Sequence, residues 1–214
     1  MAALYKWPPV SRNHSGAAFF FAFIALGALT EWVTYWMANH HIRNLWMLHF
    51  HNLGHYILLI LMFSLWREKV TGESGEASSP SFLSPGILRW SIFVYTAFWL
   101  VSKWTFERWN EPASYTITLS TLVFIVISLA ALYRMVSRPV GTGESLTRSF
   151  QFWVAVGILT YSAGSAVHFL LIPLSTNLGR ESVITVWTIH WGLNVLVNAL
   201  YANGFLCLTE RQTA

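Results

Sequence analysis

Long apolar runs, each interrupted by a short polar segment, dominate this chain of 214 residues. A membrane-spanning helix needs about 20 largely apolar residues, because the hydrocarbon core is about 30 Å thick and a helix rises about 1.5 Å per residue. Pro173 is expected to end the fifth such run, with a turn at 177–179 before the sixth. The pattern predicts an all-α membrane protein, a six-helix transmembrane bundle in one domain, with spans at 17–38, 44–66, 87–104, 113–135, 150–173 and 182–208.

Composition supports this class. Charged residues make up only 10% of the chain, whereas soluble domains carry roughly 25%. The twelve tryptophans agree, because Trp is enriched where a membrane meets water. The thirteen Lys and Arg residues are scattered over short loops without a basic run, which argues against a nucleic-acid partner. The expected partners are the lipid bilayer and other membrane subunits or a second copy of the chain.

Lys and Arg also predict the orientation, since they accumulate in cytoplasmic loops. The first sixteen residues lack the apolar core of a signal peptide, so the first run is expected to remain as a span. Nine of the thirteen cations then fall on the side of the two termini, which places both termini in the cytoplasm. These nine are Lys6, Arg12, Arg67, Lys69, Arg89, Arg134, Arg138, Arg148 and Arg211.

Apart from His49 and the cations at the span ends, five ionisable side chains lie inside the predicted spans. Alternating helix directions place all five between the outer interface and the midplane. Ionisable residues at such depths usually face the bundle interior and mark a ligand, ion or proton site. The five residues are Glu31, His51, His55, His168 and His190.

Helical spacing refines this cluster. His51 and His55 are four residues apart and are expected to stack on one face. His49 points nearly opposite His51 and lies nearer the interface, so it is a candidate ligand that simple contact with solvent would also explain. The sixth predicted helix carries a polar stripe that must face other helices or water. The stripe consists of His190, Asn194, Asn198 and Tyr201, and the fifth helix adds Tyr161 and Ser165.

Imidazoles with a carboxylate can bind a divalent transition metal, facing histidines can ligate haem, and both groups can pass protons or bind a polar ligand. The alternative is a purely structural network of hydrogen bonds between helices. Retinal is excluded because a Schiff base needs a lysine in the middle of the membrane, whereas Lys6 and Lys69 lie outside the spans and Lys103 lies at a helix end. The cofactor is otherwise open between haem, a metal and none.

Three functions fit this cluster. The first is a small membrane binding or sensing module whose outer-half pocket holds a metal, haem or polar ligand. The second is a metal-dependent membrane enzyme, hydrolytic or oxidative, that uses the same residues. The third is an accessory subunit of a larger membrane complex.

The cluster has a geometric consequence. A buried carboxylate needs a partner, and no Lys or Arg lies at the depth of Glu31. We therefore expect Glu31, His55 and His190 to approach one another within direct or water-bridged hydrogen-bond reach.

The third predicted loop, at 103–111, is both charged and aromatic and lies on the outer side. It is compatible with a lid or a partner surface above the cluster. It is equally compatible with an interfacial aromatic belt that contains local ion pairs.

Three stretches together carry a resemblance: residues 44–49, residues 152–164, and residues 187–201 with His190, Asn194 and Asn198. They resemble a family of small polytopic bacterial inner-membrane proteins of unknown function, over most of the chain from Glu31 to Cys207. The resemblance implies an all-helical fold in a bacterial plasma membrane and no particular activity.

This chain departs from the family pattern in the second helix. The family shares the histidines at positions 49 and 190, but it has Tyr at the position of His51 and Glu at that of His55. Glu can replace His as a metal ligand or proton carrier, whereas Tyr is a poorer ligand. The resemblance therefore favours four candidates over His51, namely Glu31, His49, His55 and His190.

Overall fold

Every regular element that the structure describes is helical. The computed structural model describes residues 16–66, 84–110, 113–137, 146–178 and 180–213, except for the side chains of 170–178, 180, 182, 183, 186 and 208–213. No β-strand occurs in these ranges, which confirms the all-α prediction. The helices are α1 (Ala17–Asn39), α2 (Leu45–Leu65), α3 (Pro85–Thr105), α4 (Ser114–Ser137), α5 (Phe150–Leu178) and α6 (Arg180–Thr213), with a short 3-10 turn at Leu146–Arg148.

Within the described ranges, four helices are long and apolar enough to cross a membrane: α1, α2, α4 and the part of α5 at Phe150–Phe169. With 23 residues, α1 is about 34 Å long, which matches a hydrocarbon core of about 30 Å. These four helices indicate a membrane protein. Helix α3 is less apolar because its 21 residues include Arg89 and Lys103.

Helix α5 continues beyond Pro173 to Leu178, so the prediction that this proline ends the helix is wrong. Proline removes one backbone hydrogen bond, but helices in apolar surroundings tolerate it when neighbouring groups satisfy the freed carbonyl. Asn177 is helical as well, and α6 begins at Arg180. Gly179, the last residue of the predicted turn, lies outside the described residues.

The described residues form two compact units, divided between Thr116 and Ile117. In the first unit α1, α2 and α3 pack side by side in chain order. Helices α1 and α2 approach closely at Gly54, where a Cβ atom would lie only 2.7 Å from a methyl group of Leu26. The absence of a side chain at Gly54 therefore sets the spacing of this helix pair.

The start of α3 is defined by its own sequence. The Ser84 hydroxyl accepts a hydrogen bond from the Ile87 backbone N–H at 3.3 Å, and Pro85 occupies the first helical position. A serine cap followed by proline is a preferred helix start, because the cap satisfies an N–H that has no partner inside the helix.

In the second unit α5 and α6 form an antiparallel pair. Gly157 and Gly164 of α5 face Tyr201 and Leu193 of α6, and a Cβ atom at either glycine would overlap the opposing side chain. Small residues at such positions let helix backbones approach closely in membranes, where van der Waals packing drives association. The two glycines are two helical turns apart, so they form one contact line along the pair.

Candidate functional site

The first histidine pair lies on α2. The ring centroids of His51 and His55 are 3.8 Å apart, as their spacing of four residues predicts. Nδ1 of His51 is 2.9 Å from the Thr30 hydroxyl on α1, a hydrogen bond whose donor depends on the imidazole tautomer. The pair is thus anchored between α1 and α2 at one end.

The other end of this pair is apolar. The Phe23 ring lies 4.3 Å from the His55 ring, and Gly27 leaves room beside Nε2 of His55. This nitrogen is buried, and within the described part of the chain it has no hydrogen-bond partner. A buried polar atom without a partner is costly, so this nitrogen is available to a ligand.

His49 is not in contact with solvent. It is fully buried, at 0% exposure. The Lys103 ammonium donates to Nδ1 of His49, and the Trp109 ring packs against the imidazole with centroids 5.5 Å apart. Lys103 at the end of α3 and Trp109 cover this end of α2, so contact with solvent does not explain His49; helical spacing alone does not reveal this contact.

Lys103 and Glu107 form a buried ion pair whose side chains are each 2% exposed. The Glu107 carboxylate also accepts hydrogen bonds from the Thr116 backbone N–H at 2.8 Å and the Thr116 hydroxyl at 2.9 Å. Thr116 lies in the first turn of α4, so the carboxylate occupies a helix N-terminus, where the helix dipole favours negative charge. We call Lys103, Glu107, Thr116 and His49 the Lys103 cluster.

The electrostatics of Glu107 follow from these contacts. Burial acts to raise the pKa of its carboxyl group. The hydrogen bonds from Lys103 and Thr116, together with the Lys103 charge, outweigh burial and hold the pKa below its ordinary value of 4.5. Glu107 is therefore ionised at neutral pH and ties α3 to α4.

Further hydrogen bonds fix α2 against α3 and α4. The Asn52 amide donates to the Tyr95 hydroxyl at 2.6 Å, which donates to the Thr116 carbonyl at 3.1 Å. The Trp99 indole N–H donates to the His49 carbonyl at 3.1 Å. From the sequence, residues 103–111 were compatible with a lid, a partner surface or an interfacial aromatic belt with local ion pairs. Lys103 and Glu107 form a local ion pair of this kind.

The second histidine pair joins α5 to α6 in the second unit. The rings of His168 and His190 are stacked with centroids 4.4 Å apart, and the Trp187 ring lies 5.0 Å from His168. Tyr161 is next to His190, with ring centroids 6.1 Å apart. Nδ1 of His190 is buried and has no hydrogen-bond partner among the described residues.

The polar stripe on α6 is only partly covered by the protein. Tyr201 is buried against Gly157, and Asn194 is half-buried beside Leu193. Asn198 is exposed. Ser165 of α5 is buried, and its hydroxyl has no partner in the part of the chain described here.

Glu31 stands apart from the histidine pair of its own unit. It is exposed on α1, and within the described ranges it makes no hydrogen bond or ion pair. Glu31 therefore makes no direct hydrogen bond with His55, whereas a water-bridged contact and the approach to His190 stay predictions. Helix α1 instead directs Thr30, one residue earlier, towards His51.

The predicted site residues thus form two pairs, one in each unit. Among the described residues, groups of three or more His, Cys, Asp or Glu side chains that could hold a metal ion are absent. Three protein ligands are usual at a catalytic zinc centre. The described part of the chain therefore offers pairs of imidazoles rather than a complete metal site.

Comparisons add no precedent for this arrangement. No protein-family model, curated protein or solved structure matches the chain. The resemblance to small bacterial inner-membrane proteins stays a prediction, and the chemistry of the site must be argued from its own residues.

Proposed function

We propose that this chain is a multi-pass protein of the bacterial plasma membrane, with six spans and both termini in the cytoplasm. The four apolar helices support membrane insertion, and the distribution of Lys and Arg supports the orientation. Exposed aromatic side chains near the shared end of α1 to α4, including Trp36, Trp46, Trp104 and Tyr115, are typical of a membrane interface.

This topology predicts opposite labelling of two positions at helix ends. In a Cys207→Ser background, a cysteine at Asn39, the end of α1, should react with a membrane-impermeant maleimide in intact cells. A cysteine at Ser84, the start of α3, should react only after the membrane is permeabilised. Labelling of both from outside would contradict the six-span arrangement.

Within this membrane protein, we propose a binding or sensing function for the histidine pairs. The observation that carries the proposal is that Nε2 of His55 and Nδ1 of His190 are buried in apolar helices without hydrogen-bond partners in the described residues. Native proteins rarely leave buried polar atoms unpaired, so each unpaired nitrogen indicates a missing partner. A bound ligand would supply that partner.

The chemistry of a neutral imidazole limits the ligand. Each nitrogen either donates a hydrogen or offers a lone pair, and a lone pair binds a metal ion or an N–H or O–H group. A divalent metal ion would need further ligands from water or another molecule, because each pair supplies two imidazoles. Haem between His168 and His190 is disfavoured, since their stacked rings leave no room for an iron between them.

Zinc binding tests the proposal. We expect the purified protein to bind Zn²⁺, and we expect His55→Ala and His190→Ala each to weaken one binding event about tenfold, which corresponds to 1.4 kcal/mol. Calorimetric titration, metal analysis and a visible spectrum would measure this. His40→Ala is the matched control, because His40 is exposed at the end of α1 and contacts the Trp36 carbonyl.

Two results would contradict the proposal that the histidine pairs bind a metal ion. Zn²⁺ binding that neither variant changes would contradict a role for the histidine pairs. A Soret band in the purified protein would identify haem and replace the metal proposal.

The second candidate function, an accessory subunit of a membrane complex, is favoured by a different observation. Glu31 is exposed on a helix that is apolar enough to span the membrane. An ionisable side chain on such a surface is expected to meet protein rather than lipid in the assembled state.

A further inference from the structure

The surface around Glu31 has the features of a helix-docking site. Glu31 lies eight residues before the end of α1, which places it about 12 Å inside that end of the helix. It is exposed, and it has no hydrogen bond or ion pair within the part of the chain that the structure describes. If α1 spans the bilayer, this carboxylate therefore lies within the hydrocarbon region.

Lipid is an unfavourable neighbour for this side chain. Charged groups within the hydrocarbon region are rare, and they almost always face a protein interior, a water-filled cavity or an oppositely charged partner. Glu31 is too far from the helix end for its short side chain to reach water easily. A partner outside the described chain would remove this cost.

The residues beside Glu31 suit a second helix. Ala28 and Tyr35 lie three residues before and four residues after Glu31, so all three share one face, and all three are exposed. We call this the Glu31 face. Ala28 has a small side chain that permits close approach of a helix backbone, and Tyr35, 69% exposed, offers an aromatic ring and a hydroxyl.

Charge selects the kind of partner. A carboxylate is best compensated by a Lys or Arg at the same depth, and an aromatic ring next to it would add a favourable cation–π contact. A second copy of this chain does not provide such a cation. Neither α1 nor α2 contains Lys or Arg, and Lys103 of α3 is already paired with Glu107. The cations of the other helices that flank the membrane lie within about one turn of a helix end rather than at the depth of Glu31: Arg89, Arg134 and Arg180.

A parallel dimer through this face would also bring Glu31 close to its own copy. Two carboxylates in apolar surroundings repel one another unless one of them takes up a proton, whereas a Lys or Arg compensates the charge directly. We therefore propose that the Glu31 face binds a transmembrane helix of a different subunit, and that this helix carries a Lys or Arg at the depth of Glu31. The proposal rests on the membrane placement of α1 and on the accessory-subunit candidate, but not on the histidine ligand.

Synthetic helices provide a direct test. The full-length protein, labelled with a donor fluorophore at residue 39 in a Cys207→Ser background, is reconstituted into phosphatidylcholine vesicles. Helical peptides of about 20 Leu and Ala residues carry an acceptor fluorophore. They contain a single Lys, Met or Glu at the depth of Glu31, and energy transfer measures their association with the protein.

We expect the Lys peptide to bind about tenfold more tightly than the Met peptide, and the Glu peptide to bind more weakly than both. Glu31→Gln should abolish the preference for Lys, and Glu31→Asp should retain it. Glu181→Gln is the matched control, because Glu181 is exposed at the start of α6 and should leave the preference unchanged.

Two outcomes would overturn the proposal. The first is equal binding of the Lys and Met peptides to the unmodified protein. The second is self-association of the protein in vesicles without peptide that Glu31→Gln removes, because this would identify a second copy as the occupant. Loss of Zn²⁺ binding in the histidine variants would leave the peptide result unaffected, so the two proposals fail independently.

Discussion

Lys103→Met is expected to lower the free energy of unfolding by about 3–5 kcal/mol, the usual cost of removing one partner from a buried ion pair. The variant leaves the Glu107 carboxylate buried without its cation, and it removes the donor to Nδ1 of His49. Titration with a denaturing detergent, followed by circular dichroism, would measure the loss. An effect below about 0.5 kcal/mol, the range of ordinary surface substitutions, would show that the pair is not buried in solution.

Two companion variants identify the cause of this loss. Arg108→Met removes an exposed cation from the same segment and should change stability by less than about 0.5 kcal/mol. The double variant Lys103→Met/Glu107→Gln removes both charges and should be more stable than Lys103→Met alone. A coupling energy of about 0.5–3 kcal/mol between the two sites would be typical of residues in direct contact.

The Glu107 carboxylate also makes the stability of the folded protein depend on pH. Folding lowers the pKa of Glu107, so its ionised form is stabilised in the folded state. This contribution is fully present above the ordinary value of 4.5 and is lost as the pH falls through the lowered pKa of the folded protein. Glu107→Gln should therefore be less stable than the unmodified protein at neutral pH, with a smaller difference in acid.

Gly157→Ala is expected to destabilise the α5–α6 pair by about 1–3 kcal/mol, which is typical of overpacking a close contact. The added methyl group would overlap the ring of Tyr201, which is buried and cannot move into solvent. The midpoint of thermal unfolding in detergent would report the change. Because the contact lies within one helix pair, the effect should appear without loss of the first unit's fold.

Gly192→Ala provides the matched control on the facing helix. A Cβ atom at Gly192 would meet no other heavy atom within 4 Å, so this substitution introduces no clash. It should leave stability unchanged or raise it slightly, since alanine favours the helix by about 1 kcal/mol over glycine. Equal effects of the two substitutions would contradict the packing of Tyr201 on Gly157.

Local features of the site were accessible from the sequence. The stacking of His51 and His55 follows from their spacing of four residues on one helix, and no other part of the chain is needed to produce it. The pairing of His168 with His190 is a contact between helices. The similar depth predicted for the two histidines was compatible with this contact but did not require it. The close packing of α5 and α6 at Gly157 and Gly164 sets the register that brings the two rings together.

Other features could be predicted only by knowing how each helix is rotated about its own axis. Thr30 and Glu31 are adjacent in sequence, yet Thr30 is buried against His51 and Glu31 is exposed. In a soluble helix the polar side marks the outward face, but here both the lipid-facing and the protein-facing sides are apolar. The pattern therefore does not reveal which of two neighbouring polar residues faces inward.

The sequence by itself indicated the class and the elements of this protein, because an apolar run of about 20 residues in a membrane satisfies its backbone hydrogen bonds by forming a helix. It determined the positions of most helices, but not the passage of α5 through Pro173. Only the tertiary structure decided that His49 is buried beneath Lys103 and Trp109, and that Glu107 joins α3 to α4. These contacts link residues from different helices, and their formation depends on how the helices pack rather than on any local preference.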